Sequence, residues 1–110
     1  MTLSTHVLDA SRGVPAGGVG VRLTTLEGQP LGEAVTDADG RVRELAAELG
    51  SGDYRLTFAT GAYFAASGQQ GFYPEVVVTF TVTDVDVGAG RHHHVPLLLS
   101  PYAYSTYRGS

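Results

Sequence analysis

The stretch PEVVVTFTVTD, Pro74–Asp84, decides how the rest of the chain is read. Val76, Val78, Phe80 and Val82 share one parity, and Val77, Thr79, Thr81 and Thr83 share the other. A period of two, carried by β-branched and aromatic residues, marks a strand with one buried face. Two more runs repeat the pattern. In GVGVRLTTL, Val19, Val21 and Leu23 alternate with Gly20, Arg22 and Thr24; in DYRLTFAT, Tyr54, Leu56 and Phe58 alternate with Arg55, Thr57 and Ala59. Turn-forming clusters separate the runs at 11–18, 27–30, 37–40, 50–53 and 86–90. Short strands punctuated in this way predict an all-β, two-sheet antiparallel sandwich. GAYFAASG (61–68) is expected to form one short helix, and RELAAELG (43–50) is a second, weaker helical candidate. Tyr63, Phe64, Phe72 and Tyr73 read as core and helix-packing residues. No repeat or low-complexity segment interrupts the pattern, so residues 1–110 are expected to form a single domain.

Composition narrows the function classes. The 110 residues include no cysteine, which excludes disulfides and thiolate metal sites. The net charge is −4, and the seven basic residues, all arginine, are scattered, so no basic face suits nucleic acid. No run approaches about 18 apolar residues, so no membrane span is expected. The first residues lack a signal-peptide pattern, and with the absent cysteines this leads to the expectation of a cytoplasmic protein.

Parity also points to an assembly. In THVLDA, a core-facing Val7 puts His6 and Leu8 on the outside. In HHHVPLLLSP, Val95, Leu97 and Leu99 form a core set, which puts His92, His94, Pro96 and Leu98 outside, subject to a bulge at the proline. A mixed apolar and polar outer face is the kind that another subunit covers.

The four histidines fall at His6 and His92–His94. Imidazole titrates near neutrality and suits proton transfer or metal ligation, although a histidine on a β protein is most often a plain surface residue. His92 and His94, two apart on one strand face, match a strand-borne zinc pair that His6 would complete if the terminal strands are neighbours. Arg41 follows the turn in TDADGR and reads either as a solvated arginine or as an anion clamp, with Arg43 an equal alternative. Asp37 and Asp39 most simply serve the turn. No Gly-x-Ser-x-Gly nucleophile or phosphate-binding loop is present.

Four blocks carry a family resemblance: LSTHVLDASRGVPAGGVGVRL, TDADGR, AYFAASGQQGFYPEV and HVPLLLSPYAYSTYRGS. In order and over essentially the whole length, they resemble the transthyretin-related 5-hydroxyisourate hydrolases. The resemblance implies a transthyretin-like sandwich of eight strands and one short helix. It also implies a homotetramer built as a dimer of dimers, with active sites where the dimers meet. The implied activity is hydrolysis of the lactam of 5-hydroxyisourate to 2-oxo-4-hydroxy-4-carboxy-5-ureidoimidazoline in urate breakdown, without metal or organic cofactor. Carried over by position, the catalytic residues are His6, Arg41 and His94, which decides for Arg41 over Arg43. Tyr107, Arg108, Gly109 and Ser110 are the implied substrate-binding signature. The hormone carrier transthyretin lacks that tetrapeptide, which leaves a carrier as the rival expectation. One position departs from the family pattern: His93 stands where tyrosine is common, a change expected to tune packing, with a perturbed pKa of its neighbour as a further consequence.

Overall fold

The computed structural model describes residues 2–109. Nine strands are present among them: β1 (Thr2–Asp9), β2 (Val14–Pro15), β3 (Gly20–Thr25), β4 (Pro30–Val35), β5 (Arg41–Ala46), β6 (Gly52–Phe58), β7 (Val76–Val82), β8 (His92–Ser100) and β9 (Ala103–Thr106). Helix α1 (Thr60–Ala66) follows β6, and a single turn, α2 (Asp84–Gly88), follows β7. One sheet runs β2–β1–β8–β9, with β5 also paired to β1; the other runs β4–β3–β6–β7. The pairing of β1 with β8 is parallel, and the remaining pairs described are antiparallel.

The alternation in the sequence becomes the core. Leu3 and Val7 of β1, Val21 and Leu23 of β3, Leu56 and Phe58 of β6, and Leu97 and Leu99 of β8 are fully buried between the sheets. Each such side chain contributes about 1.5–3 kcal/mol through burial. His6, Leu8, His94 and Leu98 lie half-buried on the outer face, as parity required. Pro96 shares that parity but is buried, and the β1–β8 register passes through His6↔Pro96 without a bulge.

Three local expectations are corrected. RELAAELG does not form a helix: its first half belongs to β5, which lies against β1 and buries Val42 and Leu45. A helix there would leave the N-terminal half of β1 without hydrogen-bond partners on that side, a larger loss than any local helical preference. The Asp86 turn region is instead the end of α2, started by a capping box. The Thr83 hydroxyl accepts the Asp86 N–H, and the Asp86 carboxylate accepts the Thr83 N–H. Phe72 is 69% exposed, stacked edge-to-face on Tyr73 and outside the core; Phe64 of α1 is the aromatic that fills it.

Asp9 ties the end of β1 to the helix. Its carboxylate is 1% exposed and accepts bonds from the Tyr63 hydroxyl (2.7 Å), the Gln69 amide (3.0 Å), the Ser11 hydroxyl (2.7 Å) and the Arg12 N–H (3.0 Å). Burial alone would raise its pKa, but the bonds from Tyr63, Ser11, Gln69 and Arg12 together outweigh it and hold the group at about 2, against an ordinary 3.8. The same bond, with burial, lifts Tyr63 to about 12. Since the folded value lies below the unfolded one, the contribution is complete well above 3.8 and is lost as pH falls toward 2. Asp9→Ala should therefore lower the unfolding free energy near neutral pH by about 2–3 kcal/mol. The gap to the parent should close as urea titrations are moved into that acidic window; equal midpoints at neutral pH would remove Asp9 from this role.

Candidate active site

The turn before β5 delivers Arg41. Asp37 accepts the backbone N–H groups of Asp39 (2.9 Å) and Arg41 (3.0 Å), an Asx-type closure. The Arg41 N–H leads the interactions that keep the Asp37 carboxyl below the usual range. Gly40 has φ +75°, and a Cβ there would stand 2.3 Å from the Val7 carbonyl oxygen. Only glycine allows that approach, and it lets the Val7 N–H donate to the Gly40 carbonyl at 2.7 Å. The turn is thereby clamped to β1, and Arg41 stands opposite His6 in the register.

His6 Nε2 lies 2.9 Å from the Asp39 carbonyl oxygen. A carbonyl can only accept, so Nε2 carries a proton, and Nδ1 is an acceptor while the ring is neutral. Asp39 thus does more than serve its turn, and it also meets Arg43 in a solvent-exposed pair at 3.9 Å that contributes little.

His94 stands opposite Ser4 in the parallel pairing of β8 with β1. Ser4 Oγ is 2.7 Å from His94 Nδ1 and 2.7 Å from His92 Nε2, and His92 Nδ1 bonds the Thr2 hydroxyl. Ser4, Arg41, Arg43, His92 and His94 border a cleft of about 340 Å³. Burial, then the Arg41 guanidinium and the neighbouring His6 and His92, push the His94 pKa below its ordinary 6.5. Near neutrality the His94 ring is uncharged, which is the state a general base needs. Among the described residues no three histidine or carboxylate groups gather as a metal set. Ser4 is bonded to a nitrogen of each of His92 and His94, the pair that zinc ligation would have used.

The C-terminal signature divides. Gly109 donates its N–H to the His94 carbonyl at 2.8 Å, and a Cβ on it would lie 2.6 Å from His94 Cδ2. Glycine at this position lets the segment press against the imidazole. Tyr107 and Arg108 instead border a second cavity, of about 320 Å³, between β7 and β8, with His94 as the wall common to both spaces. Ser110 lies outside the described residues. His93 points away from the cleft and is 5% exposed, its Nε2 3.2 Å from Asp86. It is absent from the causes of the His94 shift, so the perturbation of its neighbour's pKa is not seen. Asp86 also meets Arg91 (3.6 Å) and Arg108 (3.7 Å), and bonds from the Thr83 hydroxyl and N–H keep it ionised.

The pairing of β1 with β5 and β8 brings His6, Arg41, His94 and Gly109 together; sequence reasoning missed Ser4 and Asp86 beside them. Ser4 shares the outward parity of His6, and Thr83-x-x-Asp86 carries the spacing of a capping box, so both left a signal.

The HIUase/Transthyretin family model matches residues 3–109. A relative from Caulobacter vibrioides named 5-hydroxyisourate hydrolase is 51% identical, with 98% of this chain and 97% of the relative covered. The solved Klebsiella pneumoniae 5-hydroxyisourate hydrolase superposes with a TM-score of 0.89 at 43% identity, covering all of both chains. Sea bream transthyretin, solved in complex with thyroxine, superposes with a TM-score of 0.87 at 34% identity, covering 97% of this chain and 93% of that one. A match this complete in both sequence and backbone leaves one assignment: the chain belongs to the HIUase/Transthyretin family.

Proposed function

We propose that this chain hydrolyses the lactam of 5-hydroxyisourate in urate breakdown, giving 2-oxo-4-hydroxy-4-carboxy-5-ureidoimidazoline. The observation that carries the reading is the convergence of β5, β1 and β8, which puts Arg41 opposite His6 and sets a neutral, partly buried His94 at the same cleft. The fold alone does not choose, since a thyroxine-bound relative shares it. The cationic, hydrogen-bonding lining suits a flat, polar, acidic heterocycle better than a hydrophobic ligand.

In this reading His94 takes a proton from water as the oxygen attacks the lactam carbonyl; the tetrahedral intermediate then collapses with cleavage of the ring C–N bond, and the His94 imidazolium returns that proton to the leaving nitrogen. Arg41 holds a substrate oxygen and offsets the charge that develops there, an effect of about 3–4 kcal/mol for a placed donor. His6, its Nε2 fixed on the Asp39 carbonyl, offers Nδ1 to a substrate N–H and orients the ring. Leu8 and Leu98, half-buried beside these groups, form the face that a second dimer covers in a homotetramer built as a dimer of dimers.

The direct test is to generate 5-hydroxyisourate with uricase and follow its ultraviolet decay with and without the protein. Acceleration is expected; decay at the spontaneous rate overturns the reading and favours a carrier. Ala at His6, Arg41 or His94 should each lower turnover at least about 100-fold with folding intact. A near-parental rate in one of them removes that residue from the mechanism.

The pH profile gives a second check. A depressed His94 pKa means the base stays unprotonated to below 6.5, so kcat/KM should remain level there before falling. A limb above 6.5 would exclude His94 as the base. For assembly, Leu98→Arg should convert a tetramer to dimers by light scattering, and a tetramer unmoved by it would place the dimer contact elsewhere.

A further inference from the structure

Resting on that reading and deepening it, we propose that Ser4 is a positioning residue that fixes the tautomer of His94. Its hydroxyl holds the proton of the ring on Nδ1 and leaves Nε2 as the free base of the cleft. Ser4 is 7% exposed and sits on β1 directly opposite His94, with His92 one outward position away on the same strand. A serine hydroxyl donates one hydrogen and accepts others, so it cannot donate to both imidazoles. Two orders of donors use the Ser4 hydrogen within the chain Thr2–His92–Ser4–His94; a third, in which Ser4 accepts from both rings, turns its hydrogen elsewhere and likewise puts the His94 proton on Nδ1.

In the first order, His94 Nδ1–H donates to Ser4 Oγ, Ser4 O–H donates to His92 Nε2, and His92 Nδ1–H donates to Thr2. In the second order every donor is reversed, and His94 is left with its proton on Nε2. The side-chain bond of the His94 ring among the described residues is at Nδ1, which leaves Nε2 toward the cleft. An N–H there would add positive hydrogen to a cleft already lined by the Arg41 guanidinium, whereas a lone pair is favoured by that charge. The Nδ1–H arrangement therefore prevails, and it gives the polarity a general base requires. It also stabilises the ring after proton capture, because Nδ1–H of the imidazolium keeps its acceptor. The role parallels the carboxylate that orients histidine in hydrolytic triads, performed here by a neutral hydroxyl.

The experiment uses the full chain with its imidazoles labelled with ¹⁵N. Long-range ¹H–¹⁵N spectra in mildly alkaline buffer should show His94 with a protonated Nδ1 and a bare Nε2. Ser4→Ala should shift that pattern toward the Nε2–H form. It should also lower kcat on the order of 10- to 100-fold with KM little changed, and Ser4→Thr should restore both. A bare Nδ1 in the parent, or an unchanged His94 pattern in Ser4→Ala, overturns the proposal. The spectra need no substrate, so a chain inactive on 5-hydroxyisourate but with the expected tautomer defeats the functional reading and not this one. If Ser4→Ala does not fold, the parent spectrum and Ser4→Thr still decide.

Discussion

The structure depends on β1 being paired along both edges. One edge runs parallel to β8 over eight residue pairs, from Thr2↔His92 to Asp9↔Leu99. The other edge takes β5 along its first half and the two-residue β2 at its end. A strand in this position has both its backbone hydrogen-bond rows satisfied and one face committed to the core, so its register cannot slip. A shift of one residue would turn His6 and Ser4 into the core between the sheets and turn Leu3 and Val7 out of it. Every functional side chain is placed relative to this strand: Arg41 by the antiparallel register, His94 by the parallel one, and the Gly40 turn by a backbone bond to Val7.

The cost of that convergence is electrostatic. Arg41, Arg43, His6, His92 and His94 gather on one face, and burial and neighbouring charge together disfavour a protonated His94. A histidine whose pKa is depressed by folding contributes stability above its unfolded value. That contribution drains away as pH falls below 6.5, because the unfolded chain then binds the proton more readily. The feature that keeps His94 uncharged near neutrality thus also sets an acid limit on the fold. On the opposite face of β8, His93 lies inside the protein with its Nε2 at 3.2 Å from Asp86. Alternation along HHH separates two electrostatic environments within three residues.

The strands and most of the core were legible in the sequence because alternation reports burial directly; Val76, Leu56 and Leu97 fall where parity puts them. The parity of His6 and His94 was legible for the same reason. What could not be read was pairing. Nothing in THVLDA or HHHVPLLL says that the two runs lie side by side in parallel, which depends on contacts about ninety residues apart along the chain. Ser4 showed its outward parity and no more for this reason: an outward serine is ordinary until His92 and His94 are known to be its neighbours. RELAAELG shows the same limit in the other direction, since its local preference favours a helix and the open edge of β1 makes it a strand. Family resemblance, not periodicity, separated Arg41 from Arg43, and the register puts position 41 opposite His6.

The segment after β9 acquires its meaning from the same geometry. His94 is held from two sides by parts of the chain that are far apart in sequence. Ser4 binds its ring nitrogen from β1, and Gly109 binds its backbone carbonyl while pressing on Cδ2. Arg108 reaches past it to Asp86, the residue that also caps α2 and meets His93. A ring fixed at one nitrogen can still pivot about that bond; a second contact on its carbon edge removes the pivot. Precision of this kind matters because a catalytic group misplaced by about 1 Å loses a large part of its effect. The glycine in YRGS is therefore a steric requirement of His94, and the arginine beside it fastens the segment to the buried carboxylate of Asp86.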